Sequence, residues 1–173
     1  MKQALAFTLA AMLAGAPVAS ALAAGGGGGS SRPTCPRGQV YDMRTLRCVD
    51  QSSGIVDDDS LVAYAGALSG EARYEEALAV LDLMRDPDTP VALNYRGYAT
   101  RSLGRVEEGI GYYLQSVALD PDYTLVREYL GEAYVSQGKL QLAAAQLAEI
   151  EKRCGTTCEP YLDLAEAIAA AQS

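Results

Sequence analysis

Slid against itself by 34 residues, this 173-residue chain matches its own middle. Gly97, Ser102, Gly104, Gly109 and Pro121 land on Gly131, Ser136, Gly138, Ala143 and Gly155. A weaker copy upstream places Leu61, Ala65, Tyr74, Ala77 and Leu81 32 residues before Leu93, Gly97, Val106, Gly109 and Tyr113. A period of this length predicts a stack of helix pairs, because each unit carries an apolar face that only its neighbours can bury. The residues inside the period agree. Leu61, Tyr64, Ala65 and Leu68 share one helical face, and after a break at Gly70, Tyr74, Ala77, Leu78 and Leu81 form a second stripe.

Punctuation residues divide the pairs. Asp57, Asp58, Asp59 and Ser60 supply N-cap groups and favourable charge at a helix start. A calcium loop would need further oxygen ligands at fixed spacing, and these are missing. Pro87 and Pro90 end the first pair; the second runs from about Pro90 to Leu103 and Val106 to Leu119, the third from about Thr124 to Gln137 and Leu140 to Arg153. Gly104 and Gly138 sit in the turns, where a positive φ is needed. Gly97 and Gly131 lie inside helices, where glycine costs about 1 kcal/mol against alanine. Their recurrence predicts close helix approach at both places. Cys158-Glu159-Pro160 then starts a further helix, whose Tyr161, Leu164, Ala165 and Ile168 can cover the last exposed stripe.

Small Gly97 and Gly131, turn residues Gly104 and Gly138, small Ala77, Gly109 and Ala143, large Leu81, Tyr113 and Leu147, and the Asp120-Pro121 stop resemble the tetratricopeptide repeat. The resemblance covers residues 58–153 as three repeats, 58–89, 90–123 and 124–153. The first is two residues shorter and has Ala72 where the later turns have glycine. The aromatic that often opens a repeat is replaced by Leu61, Leu93 and Arg127. The resemblance implies an all-α, right-handed superhelical array whose concave face, lined by the first helix of each pair, holds an extended peptide or a partner's helix. Carried onto this chain, that face includes Asn94, Tyr98, Arg101, Glu128, Glu132 and Val135 as ligand-binding candidates. Asn94 matches a position that in some members fixes a peptide's backbone or terminal carboxylate. The Lys and Arg residues that complete that clamp are absent, so a basic or mixed polypeptide fits better than an acidic C-terminus. Tyr98 would offer a flat contact and Arg101 a bidentate donor.

The ends of the chain set the expected compartment. Lys2, an apolar stretch from Ala4 to Ala16 and small Ala21-Leu22-Ala23 read as a secretory signal peptide over 1–23, too short to span a bilayer. A Gly/Ser-rich linker follows over 24–34. Four cysteines in an exported chain predict two disulfides with three possible connectivities. Local pairing is the simplest: Cys35 with Cys48, closing a small hairpin over 35–50, and Cys154 with Cys158, pinning a capping helix over 154–173. Closing the first loop contributes about 3 kcal/mol. The expected location is periplasmic.

Charge and missing residue types narrow the function. From Gln51 onward nine basic residues face 20 acidic ones, which argues against nucleic acid as a partner, whose phosphates demand Lys and Arg clusters. Residues 24–50, by contrast, carry a net +2, so the acidic remainder leaves room for a basic partner or for this tail to fold back on its own domain. The chain contains no His and no Trp, which removes the commonest general base and zinc ligand. No phosphate-cradling or dinucleotide motif is present. Glu128 and Glu132, one turn apart, read as a wet helix face rather than a catalytic pair. Arg96, at a position packed by Tyr64 and Leu130 in the other repeats, needs a neighbouring carboxylate if buried. The expectation is therefore a non-enzymatic scaffold for protein contacts in a cell envelope, with no cofactor and no metal. The runner-up makes the basic Cys35–Cys48 module a head for an anionic polymer, with the repeats as spacer. A thiol-disulfide enzyme using Cys154 and Cys158 ranks last, because redox dithiols usually have two intervening residues.

Overall fold

The turns inside the helix pairs are built alike. A computed structural model describes residues 33–173; the expected signal peptide and all but the last two residues of the expected linker lie outside them. Among the described residues seven α-helices follow a two-stranded hairpin. The pairs are α1 (Asp58–Gly70) with α2 (Tyr74–Leu81), α3 (Pro90–Ser102) with α4 (Val106–Leu119), and α5 (Thr124–Ser136) with α6 (Leu140–Cys154); α7 (Glu159–Ala170) comes last. In each pair a left-handed residue ends the first helix: Ala72 at φ +57°, Gly104 at +84° and Gly138 at +70°. Its N–H donates to the carbonyl three residues back, and the next N–H donates five back, as from Arg105 to Thr100 at 3.2 Å and Lys139 to Tyr134 at 2.9 Å. These bonds satisfy carbonyls that the helix end leaves open. Ala72 takes the same backbone against a penalty of about 1 kcal/mol that glycine escapes.

The helix starts are held by side-chain oxygens. Asp57 accepts from the Ser60 N–H at 2.8 Å, and Thr89 accepts from the Ala92 N–H at 3.2 Å just before Pro90. Asp58 has a longer reach: its carboxylate accepts from the Arg85 and Asp86 N–H groups at 3.1 and 2.8 Å, tying the segment after α2 to the start of α1. The acidic triplet is thus capping and stapling chemistry. Arg127, which replaces an apolar residue at the repeat start, is buried with its Nε and Nη2 donating to the Pro121 carbonyl and its Nη1 to Gln146. Arg96 is paired with Asp82 at 2.7 Å and lies 5.9 Å from the Tyr112 ring centre, the arrangement that a half-buried guanidinium demands.

Each first helix packs on the next, α1 on α3, α3 on α5 and α5 on α7, while the second helices back them. Gly97 and Gly109 make the tightest crossing: a Cβ on Gly109 would lie 2.8 Å from the Gly97 carbonyl oxygen, and one on Gly97 would lie 2.6 Å from the Tyr113 ring. Gly131 repeats the close approach toward a different partner. A Cβ there would run into Leu164, so the residue makes room for α7 rather than for α6. Leu164 is fully buried in that seat.

Both bridges follow the local pairing, Cys35–Cys48 and Cys154–Cys158. Strands β1 (Gln39–Asp42) and β2 (Arg47–Asp50) pair antiparallel, with Val40 opposite Val49. The hairpin does not stand apart. Cys35 and Val40 are buried in the same core as Leu61, Tyr64 and Leu68 of α1. The Cys35 N–H donates to Tyr64 Oη at 2.8 Å, the Met43 N–H donates to Ser60 Oγ at 3.2 Å, and Arg73 donates to the Cys35 carbonyl. Asp42, almost fully buried, accepts from the Arg44 N–H and the Thr45 hydroxyl, and these bonds hold its carboxyl below the usual range against the opposing effect of burial. The hairpin therefore covers the upstream end of the stack as α7 covers the downstream end. Among the described residues no helix is long and apolar enough to cross a membrane.

Candidate functional site

The first helices of the second and third pairs carry a row of tyrosines where most packed helices would carry Phe or Leu. Tyr98 on α3 lies 5.2 Å from Tyr129 of α5 with the two rings tilted by 45°, and meets Tyr74 of α2 at 6.1 Å; Tyr129 in turn lies 6.3 Å from Tyr113 of α4. Rings at these separations attract through their quadrupoles, and their hydroxyls need polar surroundings. Burial raises the Tyr98, Tyr113 and Tyr129 hydroxyls above the ordinary phenol range. Tyr113 is fully buried and its Oη has no partner among the described residues.

Arg101 links the two helices. Its Nη2 donates to Glu132 at 2.9 Å, and its guanidinium lies 5.8 Å from the Tyr98 ring centre. The side chain is only 18% exposed, so this pair is screened less than a surface salt bridge. Its Nε is left buried without an acceptor. Three of the expected residues, Tyr98, Arg101 and Glu132, are thus brought together in one half-buried cluster.

The other three are placed differently. Asn94 is fully buried; its amide nitrogen donates to Tyr123 Oη at 3.3 Å and its oxygen has no partner. The Tyr123 hydroxyl is raised to about 12, chiefly by burial. Asn94 therefore serves the junction between α3 and the segment leading into α5. Val135 packs against the apolar core of α4, α5 and α6. Glu128 overturns the expectation of a wet helix face: it is only 4% exposed, and its Oε2 is sealed from solvent with no hydrogen-bond partner. Burial and the charges of Glu132, Asp163 and Glu159, partly offset by Arg101, push its carboxyl up to about 7.

Sequence reading missed Tyr129 and the α7 carboxylates. The signal for Tyr129 was available, since Tyr95 and Tyr129 also match at the 34-residue offset. Nothing in the sequence places Glu159 and Asp163 beside Glu128, because that neighbourhood depends on how α7 returns. Among the described residues no group of three or more His, Cys, Asp or Glu side chains is close enough to hold a metal ion.

No known family profile matches the chain. A stretch of 93 residues, 53% of this chain, is 27% identical to the TPR repeat-containing thioredoxin TTL4 of Arabidopsis thaliana, of which it spans 14%. That partial likeness and the packed helix pairs agree on tetratricopeptide-like repeats.

Proposed function

We propose that the chain is an exported, non-enzymatic interaction scaffold of a cell envelope, which holds a peptide or partner protein along the row of its first helices. The observation that carries this reading is the Tyr98–Arg101–Glu132–Tyr129 cluster across α3 and α5, which is half-buried and polar. Aromatic and guanidinium groups of this kind dominate polypeptide interfaces. The resemblance to tetratricopeptide repeats supports protein partners, and the apolar stretch from Ala4 to Ala16 supports export to the periplasm. The alternative, a basic hairpin that grips an anionic polymer, is weakened by the hairpin's own pairing: Arg37 faces Glu76 at 3.6 Å and Arg44 faces Asp57 at 3.3 Å.

Site-specific photo-cross-linking tests the reading. A photoreactive residue replaces Tyr98 in one sample and the exposed Leu114 on α4 in another, and both are illuminated in intact envelopes. Cross-links to a polypeptide at position 98 and not at 114 are expected. Equal labelling at both positions, or none at 98, would refute the assignment of this face.

A further inference from the structure

Four carboxylates lie on α5 and α7, two helices packed against each other. Glu128 and Glu132 lie one turn apart on α5, and Glu159 and Asp163 lie one turn apart on α7. Leu164 of α7 is seated at Gly131 of α5, so the two helices lie side by side where these carboxylates stand. The Coulombic neighbours of Glu128 are these same three carboxylates together with Arg101. Arg101 is already bonded to Glu132. Glu128 is thus the group left over, buried at the floor of the cluster with Oε2 unpartnered. A buried carboxylate without a counter-charge is unfavourable, and a fold selected only for stability would place an apolar side chain there.

We propose that the α5–α7 carboxylates are a receptor for cationic side chains: an extended segment of a partner polypeptide lies along these helices and sets a Lys or Arg against Glu128. This rests on the reading of the first helices as the binding face. A metal ion is the poorer occupant, since among the described residues the carboxylates do not converge as ligands, whereas a Lys or Arg reaches in on its own stem. Spacing adds a sequence preference. One helical turn is about 5.4 Å and two residues of extended chain about 6.6 Å, so basic residues at alternate positions of the partner match the one-turn spacing of the carboxylates along each helix.

The test uses a fluorescein-labelled peptide, Gly-Ser-Arg-Ser-Arg-Ser-Gly with blocked ends, and the same peptide with Gln for both Arg. Anisotropy titrations are run at low ionic strength against the chain from residue 24, with Glu128→Gln and, as a distant control on α6, Glu151→Gln. The Arg peptide should bind at least 10-fold more tightly than the Gln peptide. Glu128→Gln should remove that preference and Glu151→Gln should preserve it, with the melting temperature of Glu128→Gln no lower than that of the parent. Equal binding of the two peptides, an unchanged preference in Glu128→Gln, or equal losses in both variants would overturn the proposal. Displacement of the peptide by millimolar Mg2+ or Ca2+ in the parent but not in Glu128→Gln would overturn it in favour of a metal site. If cross-links at position 98 persist while the Arg preference is absent, the receptor fails and the scaffold reading stands. If the preference holds with no cross-link at 98, the scaffold reading fails instead.

Discussion

Two glycines in α4 stand two residues apart in opposite circumstances. A Cβ built on Gly111 meets nothing within 4 Å, whereas one on Gly109 would lie 2.8 Å from the Gly97 carbonyl oxygen and 3.0 Å from Arg101 Cβ. Replacing a helix-interior glycine with alanine gains about 1 kcal/mol from backbone propensity, and that gain applies at both sites. At Gly111 nothing opposes it, so Gly111→Ala should stabilise by about 0.5–1 kcal/mol. At Gly109 the obstacle is backbone, which cannot rotate aside, and α3 and α4 must part by several tenths of an ångström. Overpacking of that kind costs about 1–3 kcal/mol, leaving Gly109→Ala destabilised by about 1 kcal/mol net. The two variants should then differ by about 2 kcal/mol, or about 6–8 °C in Tm for a chain of this size. The third pair already holds Ala143 at the equivalent place, so the separation of α3 and α4 decides the sign, not the type of fold. Urea titrations of the disulfide-intact chain give both values directly, provided the m-values agree. Equal stabilisation by the two substitutions would show that α3 and α4 are not in contact at this crossing, and the packing account would fall.

Three further outcomes follow from the geometry. Ala72→Gly relieves a left-handed alanine at φ +57°, and after glycine's own entropic cost the gain should be about 0.5–1 kcal/mol in a urea titration; a loss would contradict the turn assignment. Tyr64→Phe orphans the buried Cys35 N–H, whereas Tyr113→Phe removes a hydroxyl that only approaches the Arg101 guanidinium; the first should lose about 1–3 kcal/mol and the second less than about 1 kcal/mol. Equal losses would argue against the docking of the hairpin on α1. Glu128, raised from 4.5 to about 7, keeps its proton in the folded chain over a range where the unfolded chain has lost it. Its contribution is therefore fully present below about pH 4.5 and is lost as pH rises through about 7, and screening reduces the loss to about 2 kcal/mol. Parent minus Glu128→Gln stability, measured at pH 5 and pH 8, should change by about that amount in this direction, and a flat difference would refute it.

What could be read before the structure, and what could not, divides along the reach of the interactions. The turns were legible because Gly104 and Gly138 recur at one spacing and each closes a bond to a residue three back. A second recurrence is as regular and went unread. Arg73, Arg105 and Lys139 each follow the left-handed turn residue and each pairs with a carboxylate. The seat of the hairpin was not legible, because it depends on one hydroxyl of Tyr64 and one of Ser60, both of which look like ordinary helix residues. Gly131 announced a close approach but not the approaching helix. Glu128 is the clearest case. Two carboxylates a turn apart read as a solvated face on any isolated helix, and only the return of α7 across α5 converts one of them into a buried group.

The distribution of unsatisfied polarity completes the argument. At the ends of the stack most buried or half-buried polar groups are used: Asp42 is bonded twice, Ser60 accepts from Met43, and Arg73 holds both Glu76 and the Cys35 carbonyl, while Asp57 Oδ2 has only its ion pair with Arg44. In the middle Arg127 and Ser116 are bonded as well, but four groups are not. Asn94 Oδ1, Arg101 Nε, Tyr113 Oη and Glu128 Oε2 are all buried without a partner, on α3, α4 and α5. Each costs about 1–3 kcal/mol relative to a bonded group, and an apolar side chain of similar size would avoid the cost. Local choices that conflict with stability concentrate where a fold has a second requirement to meet. Here the conflict falls on α3, α4 and α5, of which α5 also seats the downstream cap. The ends are committed to closure; in the middle Asn94 and Tyr113 are sealed inside the fold, so only Arg101 and Glu128 lie where the proposed partner chain would complete their bonds.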